Sequence, residues 1–306
     1  MNDEGPQLRA FVVKEGSEGM GQQPQQIEIP PPSPTDVLYE KREGYALITL
    51  NRPVVLNAIN WSILRRLSVA LDQAEVDDDV KAIVLTGAGR AFSSGGDIQS
   101  TPPPDDDPTP SGVDINLRIW NMPKPVIAAV RGYAVGQGHE LAGTCDMTIA
   151  ADDAVFGELQ IRHGFGPPML ISPFITGLKQ AKELLLLGER INAQEALRLG
   201  LVNRVVPGDE LLAVAEDLAK KLAALPQKTV QSNKMLVNRT YEIAGFRQAL
   251  NYRDDPLIAA MLEGTHGDSP HLKVLREQGW EAFRASRDQL YKSGDATAQV
   301  PADGGV

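Results

Sequence analysis

Gly89-Arg90-Ala91-Phe92-Ser93-Ser94-Gly95-Gly96-Asp97-Ile98 and Gly132-Tyr133-Ala134-Val135-Gly136-Gln137-Gly138-His139-Glu140-Leu141 are two glycine-rich turns. Each follows a short run of buried-strand character, Val80-Lys81-Ala82-Ile83-Val84-Leu85 and Val126-Ile127-Ala128-Ala129-Val130. Glycine lets a backbone approach a ligand closely, and the free N–H groups of such turns hydrogen-bond anions. Two converging N–H groups make an oxyanion hole, worth several kcal/mol where charge develops. Taken singly, each turn also reads as a plain connector between strands.

Working outward, Val37–Lys41 and Tyr45–Leu50 are β-rich runs that Glu43-Gly44 joins as a hairpin. Asn60 is a candidate helix cap, followed by apolar residues at helical spacing from Trp61 to Leu71. A loop is expected over 99–113, where Pro102-Pro103-Pro104 precedes Asp105-Asp106-Asp107. A helix is expected near Glu140–Cys145 and a strand at Met147–Ala150. Alternating strands and helices predict an α/β core. After about Pro207 helix-forming runs take over, beginning with Glu210-Leu211-Leu212-Ala213-Val214-Ala215. The expected organisation is a flexible Pro/Gln-rich arm over 1–35, an α/β core over 36–206, a helical region over 207–292 and a flexible tail over 293–306.

Composition narrows the function classes. A chain of 306 residues is long enough to bury a core without disulfides or metals. A net charge of −10 disfavours non-specific binding to nucleic acid or anionic membrane. The single Cys145 excludes an intrachain disulfide framework, and it follows Gly143-Thr144 on a small-residue face where packing is expected. No apolar run approaches the ~20 residues of a membrane span, and Met1-Asn2-Asp3-Glu4 is acidic where a signal peptide is basic. The expectation is a soluble, cytoplasmic protein. Leu141 stands where Gly-x-Gly-x-x-Gly needs its third glycine, and no Gly-x-x-x-x-Gly-Lys-Ser/Thr loop occurs, so dinucleotide and NTP binding are unsupported. His266 and His271 lack ligand spacing, and no metal site is expected.

Together the two turns resemble those of the enoyl-CoA hydratase/isomerase (crotonase) superfamily. The resemblance runs from about Val37 to Tyr291 in collinear order, through Asn51-Arg52-Pro53, Leu56-Asn57-Ala58, Ala91–Ile98, Lys124–Val130 and Gly136–Asp146. It continues with Ala193-Gln194-Glu195-Ala196-Leu197, Gly200-Leu201-Val202-Asn203 and Val205-Val206-Pro207. It implies a spiral of repeated ββα units and a C-terminal helical region that makes a homotrimer, often paired into a hexamer. It also implies an acyl-CoA thioester substrate whose enolate is stabilised. Coenzyme A would be part of the substrate, with no permanently bound cofactor.

By the same resemblance, the N–H groups of Ser94 and Gln137 would hold the thioester oxygen. Gln137 replaces the usual glycine and must place a bulky side chain. Glu140 matches the first catalytic glutamate of the hydratases, and a carboxylate beside an apolar cleft can move a proton between water and carbon. The second glutamate falls on Gln160, whose amide can orient water but cannot transfer a proton at neutral pH. Glu158, His139 and His163 are the candidate substitutes. If 156–160 is a strand, Glu158 shares a face with Gln160 at roughly 6–7 Å. Glu158 is nonetheless expected to be an exposed carboxylate, His163 a satisfied polar contact, and His139 a pocket or supporting residue. Arg52, Val54, Leu56, Ser94, Gly96, Asp97 and Ile98 are the expected coenzyme A contacts, with Asp97 also bracing its turn. Arg284 and Arg287 are weaker candidates for the phosphates. The expected activity is enoyl-CoA hydration. The alternatives are isomerisation, thioester hydrolysis or C–C cleavage with one glutamate, and acyl-CoA binding without catalysis.

Overall fold

The computed structural model describes residues 10–12, 25–27, 31–100, 107–164, 166–250, 255–258, 260 and 270–289. Its frame is a six-stranded sheet formed by β3 (Val37–Arg42), β4 (Tyr45–Leu50), β5 (Ala82–Gly87), β6 (Val126–Val130), β8 (Met147–Ala151) and β11 (Arg204–Val206). The spatial order is β11-β8-β6-β5-β4-β3, and only the β3–β4 pair is antiparallel. The hairpin turn falls at Gly44, whose φ of 81° suits glycine. Residues pointing to both faces of β5 and β6 are buried, as parallel strands covered on two sides require.

A smaller sheet stands beside the frame, with β9 (Val155–Gly157) between β7 (Tyr133–Val135) and β10 (Ile191–Asn192). The chain winds between the two sheets. From β6 it passes to β7 and then to helix α3 (Gln137–Thr144), and from β8 it passes to β9 and a 3-10 turn over Leu159–His163. The preceding coil does the same in reduced form, because Ser93 after β5 bridges to Ala134 in β7. This is the expected spiral of repeated units.

Helix α1 (Trp61–Val76) is capped by Asn60, whose side chain accepts from Ile63 N at 2.9 Å. Its Ile63, Leu67, Ala70, Leu71 and Ala74 pack on one face of the sheet with β4 and β5. The opposite face is closed by Leu211, Ala215 and Ala219 of α7 (Leu211–Ala224). Helix α2 (Gly112–Asn121) overlaps the end of the loop that the sequence predicts over 99–113 and has no counterpart among the predicted helices. A Ser111–Asp114 capping box starts it two residues before that loop was expected to end. The Pro102–Asp106 part of the loop lies outside the described residues, and Asp107 is ion-paired to Arg65.

Helices α4 (Ser172–Ile175), α5 (Leu178–Leu187) and α6 (Ala193–Leu199) precede β11. Beyond α7 run α8 (Gln227–Ile243), α9 (Phe246–Leu250) and a terminal helix, Pro270–Asp288, interrupted at Gly279. In the segment expected to be a flexible arm, β1 (Ala10–Val12) pairs antiparallel with β2 (Gln25–Ile27). The rest of residues 1–30, and the tail over 293–306, lie outside the described residues.

Candidate active site

The two glycine turns meet because β5 and β6 are neighbours and their following residues bridge in the small sheet. Ser93 N donates to Tyr133 O at 2.8 Å, and Val135 N donates to Ser93 O at 3.2 Å. Gly95 has φ 97°, and a Cβ there would lie 2.8 Å from Val135 O. Gly136 has φ 54° and leads into α3, three residues earlier than the helix read from the sequence. Its N–H donates to Gly157 O at 2.8 Å, which ties the start of the helix to the small sheet.

Glu140 therefore stands in the first turn of α3, where the helix dipole favours a carboxylate. It is 1% exposed, and its Oε1 accepts from Met169 N at 3.2 Å and from Gln160 Nε2 at 3.1 Å. The structure thus brings Glu140 and Gln160 into hydrogen-bond contact.

Glu158 corrects the sequence reading. The strand ends at Gly157, so the alternation assumed for 156–160 does not continue, and Glu158 leads into the 3-10 turn. It is 1% exposed instead of exposed. Its Oε2 accepts from the same Gln160 Nε2 at 2.9 Å, and its Oε1 accepts from Ser172 Oγ at 2.5 Å. His139 is also buried, with Nε2 3.2 Å from Ser172 Oγ and 3.6 Å from Glu158 Oε1. Although His139 and Glu140 point about 100° apart on the helix, Glu158 and Gln160 connect them in one network. Among the described residues, Gln160 Oε1 is buried and accepts no hydrogen bond.

Each glycine turn carries one of the two expected oxyanion donors, Ser94 and Gln137. Ser94 N–H, proposed as an oxyanion donor, donates to Leu56 O at 2.9 Å. Leu56 and Asn57 have φ of 53° and 55°, and this left-handed turn brings the Leu56 carbonyl against the 93–96 segment. Asn57 locks the turn. Its Oδ1 accepts from Arg52 N at 2.8 Å, and its Nδ2 donates to Ala88 O at 2.9 Å and Ala91 O at 2.7 Å. Gln137 N–H opens α3, where helix geometry supplies no acceptor. Its side chain lies between Gly96 and Gly112, with Oε1 3.3 Å from where a Gly96 Cβ would stand.

Arg52 is not presented to a nucleotide. It is buried, and its Nη1 donates to Ala58 O at 2.7 Å and Asp97 Oδ2 at 3.0 Å. Asp97 braces its turn, as expected, with Arg52 as its partner. Leu56 is buried with Ala91, Tyr133 and Val135, whereas Val54 and Ile98 are exposed. Cys145 is packed, its thiol donating to Leu141 O at 3.4 Å, and burial pushes the thiol pKa up. The side chains of His163, Arg284 and Arg287 lie outside the described residues.

Sequence reasoning missed Ser172 and Met169 N–H. Neither carries a local signal, because the 166–175 segment reaches α3 only by tertiary packing. Among the described residues no helix is long and apolar enough to cross a membrane.

A spiral α/β fold whose paired glycine turns abut a buried glutamate defines a class of protein, and comparison with known proteins identifies it. The enoyl-CoA hydratase/isomerase family model matches residues 40–260. A short-chain-enoyl-CoA hydratase of Clostridium acetobutylicum is 37% identical over 216 residues, covering 67% of this chain and 81% of the relative. A probable enoyl-CoA hydratase of Rhizobium meliloti is 40% identical over 221 residues, covering 68% and 82%. The crystal structure of an enoyl-CoA hydratase/isomerase from Xanthobacter autotrophicus Py2 superposes with a TM-score of 0.74 at 40% identity, covering 84% of this chain and 99% of that one. The chain belongs to the enoyl-CoA hydratase/isomerase family.

Proposed function

We propose that the protein is a lyase that adds water across the double bond of a 2-enoyl-CoA, with Glu140 as the acid/base. The observation that carries this reading is the Glu140–Gln160 pair. Gln160 turns its NH2 to Glu140 and leaves a buried carbonyl oxygen without a donor. A water accepted there donates one proton to Gln160 Oε1 and the other to Glu140, and points a lone pair at C3 of the enoyl group. As the C3–O bond forms, Glu140 takes the water proton and the π electrons move to the thioester oxygen. Glu140 then returns that proton to C2, so one carboxylate completes the addition.

Gln137 N–H receives the enolate oxygen, and Ser94 N–H turns from Leu56 O to join it. Coenzyme A enters and leaves as part of the substrate, and no step draws on a resident cofactor or metal. Val54, Ile98 and the Gly96 backbone are the parts of the expected coenzyme A cradle left available by the fold. The same reading makes the protein a cytoplasmic homotrimer or dimer of trimers. The exposed apolar run Met235-Leu236-Val237 with Ile243 on α8 supports the assembly.

The test is mass spectrometry of enoyl-CoA thioesters incubated with the protein in H2¹⁸O and in D2O. The expected product carries one added water, and Glu140→Gln lowers kcat by about 10²–10⁴-fold while acyl-CoA still binds. A moved double bond with no added water, or a fully active Glu140→Gln, refutes the reading.

A further inference from the structure

We propose that Glu158 is a positioning residue for this reaction. Held by Ser172 and His139, it fixes the Gln160 amide with its NH2 inward and its Oε1 toward the attacking water. The inference rests on the hydratase reading and adds a residue that the two-carboxylate pattern does not contain.

The argument begins with the donors of one amide. Gln160 Nε2 is 3.1 Å from Glu140 Oε1 and 2.9 Å from Glu158 Oε2, which puts the two acceptors about 6 Å apart at most. Ionised carboxylates only accept hydrogen bonds, so the amide meets both of them only through its two N–H bonds. Its oxygen then bonds to neither carboxylate and is left to accept from the water. With Glu158 removed, the amide is free to flip and present NH2 to the water. The water lone pair would then be engaged by a donor instead of reaching C3. An amide is a useful second partner for the nucleophile only in the orientation that Glu158 imposes.

Glu158 is held in turn. Ser172 Oγ donates to its Oε1 at 2.5 Å, which spends the hydroxyl proton. His139 Nε2, 3.2 Å from Ser172 Oγ, is therefore the N–H donor to that hydroxyl. It also lies 3.6 Å from Glu158 Oε1. The titratable or charged side chains on the elements around Glu158 include Glu140 and His139 from α3 and two buried arginines, Arg162 and Arg190. Arg162 Nε donates to Gly188 O at 2.6 Å, and Arg190 lies over the Tyr133 ring at 5.7 Å.

The experiment compares the full chain with Glu158→Gln, Gln160→Glu and the exchange variant Glu158→Gln/Gln160→Glu. Hydration kcat and KM, and Tm, are measured from pH 5 to 9. Glu158→Gln keeps the side-chain shape and is expected to lower kcat about 10²-fold with little change in KM. The exchange variant restores two carboxylates and one amide and is expected to recover most of that loss. Gln160→Glu alone puts three carboxylates together and raises the pKa of at least one of them. A folded-state carboxylate pKa above its unfolded value gives stability that is lost as pH rises between the two, so Tm of this variant falls more steeply with pH than that of wild type.

A wild-type kcat in Glu158→Gln overturns the proposal, as does an exchange variant no faster than Glu158→Gln. A Gln160→Glu Tm profile parallel to wild type also overturns it. If the wild-type chain adds no water to any enoyl-CoA, the hydratase reading fails and the water-facing role of Gln160 falls with it. The Tm profiles then decide separately whether Glu140, Glu158 and position 160 are coupled.

Discussion

Gly138 lies two residues before Glu140 on α3, directly over the Ser93 turn. A Cβ added there would stand 2.7 Å from Ser93 O and 2.8 Å from Ser93 Cβ, where ordinary contact begins near 3.4 Å. The obstruction is backbone and Cβ, so Gly138→Ala pushes the helix back by about 0.7 Å. Overpacking of this kind costs about 1–3 kcal/mol, and the better helix propensity of alanine offsets up to about 1 kcal/mol. The expected net loss is about 1–2 kcal/mol, seen as a Tm lower by about 2–5 °C. The same displacement moves Gln137 N–H and Glu140 relative to the Ser94 turn. Because a 1 Å misplacement costs about 10²-fold, kcat should fall about 10–10²-fold with a smaller change in KM. Gly143→Ala is the control on the same helix. Its Cβ meets Ile175 Cδ1 at 3.1 Å, the mobile end of a side chain that can turn away. That variant should match or exceed wild-type Tm. Steady-state kinetics and thermal melts of the two variants measure the difference. A Gly138→Ala with wild-type kcat and Tm would refute the reasoning that the Ser93 turn sets the position of α3.

Arg52→Met leaves Asp97 buried without its cation and should cost about 3–5 kcal/mol, with a smaller loss in Arg52→Met/Asp97→Asn. Denaturant melts read this directly, whereas a raised KM for the CoA thioester at unchanged stability would return Arg52 to the ligand. In Gly112→Ala the new Cβ overlaps the Gln137 amide, which should cost about 1–3 kcal/mol. Adding Gln137→Ala should recover the stability of Gln137→Ala alone to within about 0.5 kcal/mol, as a double-mutant cycle in chemical denaturation would show.

The strands and turns of the spiral were legible because their signals are local. Buried-strand runs at 82–85 and 126–130, glycine at the left-handed positions 95 and 136, and the Asn60 cap each depend on a few consecutive residues. Helix α2 shows where that legibility ends. Its Ser111–Asp114 box follows a Pro- and Asp-rich stretch that masks the start of the helix.

The site divides in the same way. Sequence by itself indicated that Glu140 lies near the start of a helix behind a glycine turn, and that an amide stands at position 160, where the family resemblance leads one to expect a second carboxylate. Tertiary structure alone decided that Glu158 is buried, that Ser172 and Met169 N–H reach the two glutamates, and that Arg52 faces Asp97. The reason is physical. A helix start or a turn is set by backbone preferences within a few residues. Whether a carboxylate is solvated or enclosed depends on which distant segments supply its hydrogen-bond donors, and those meet only when the sheets and helices pack.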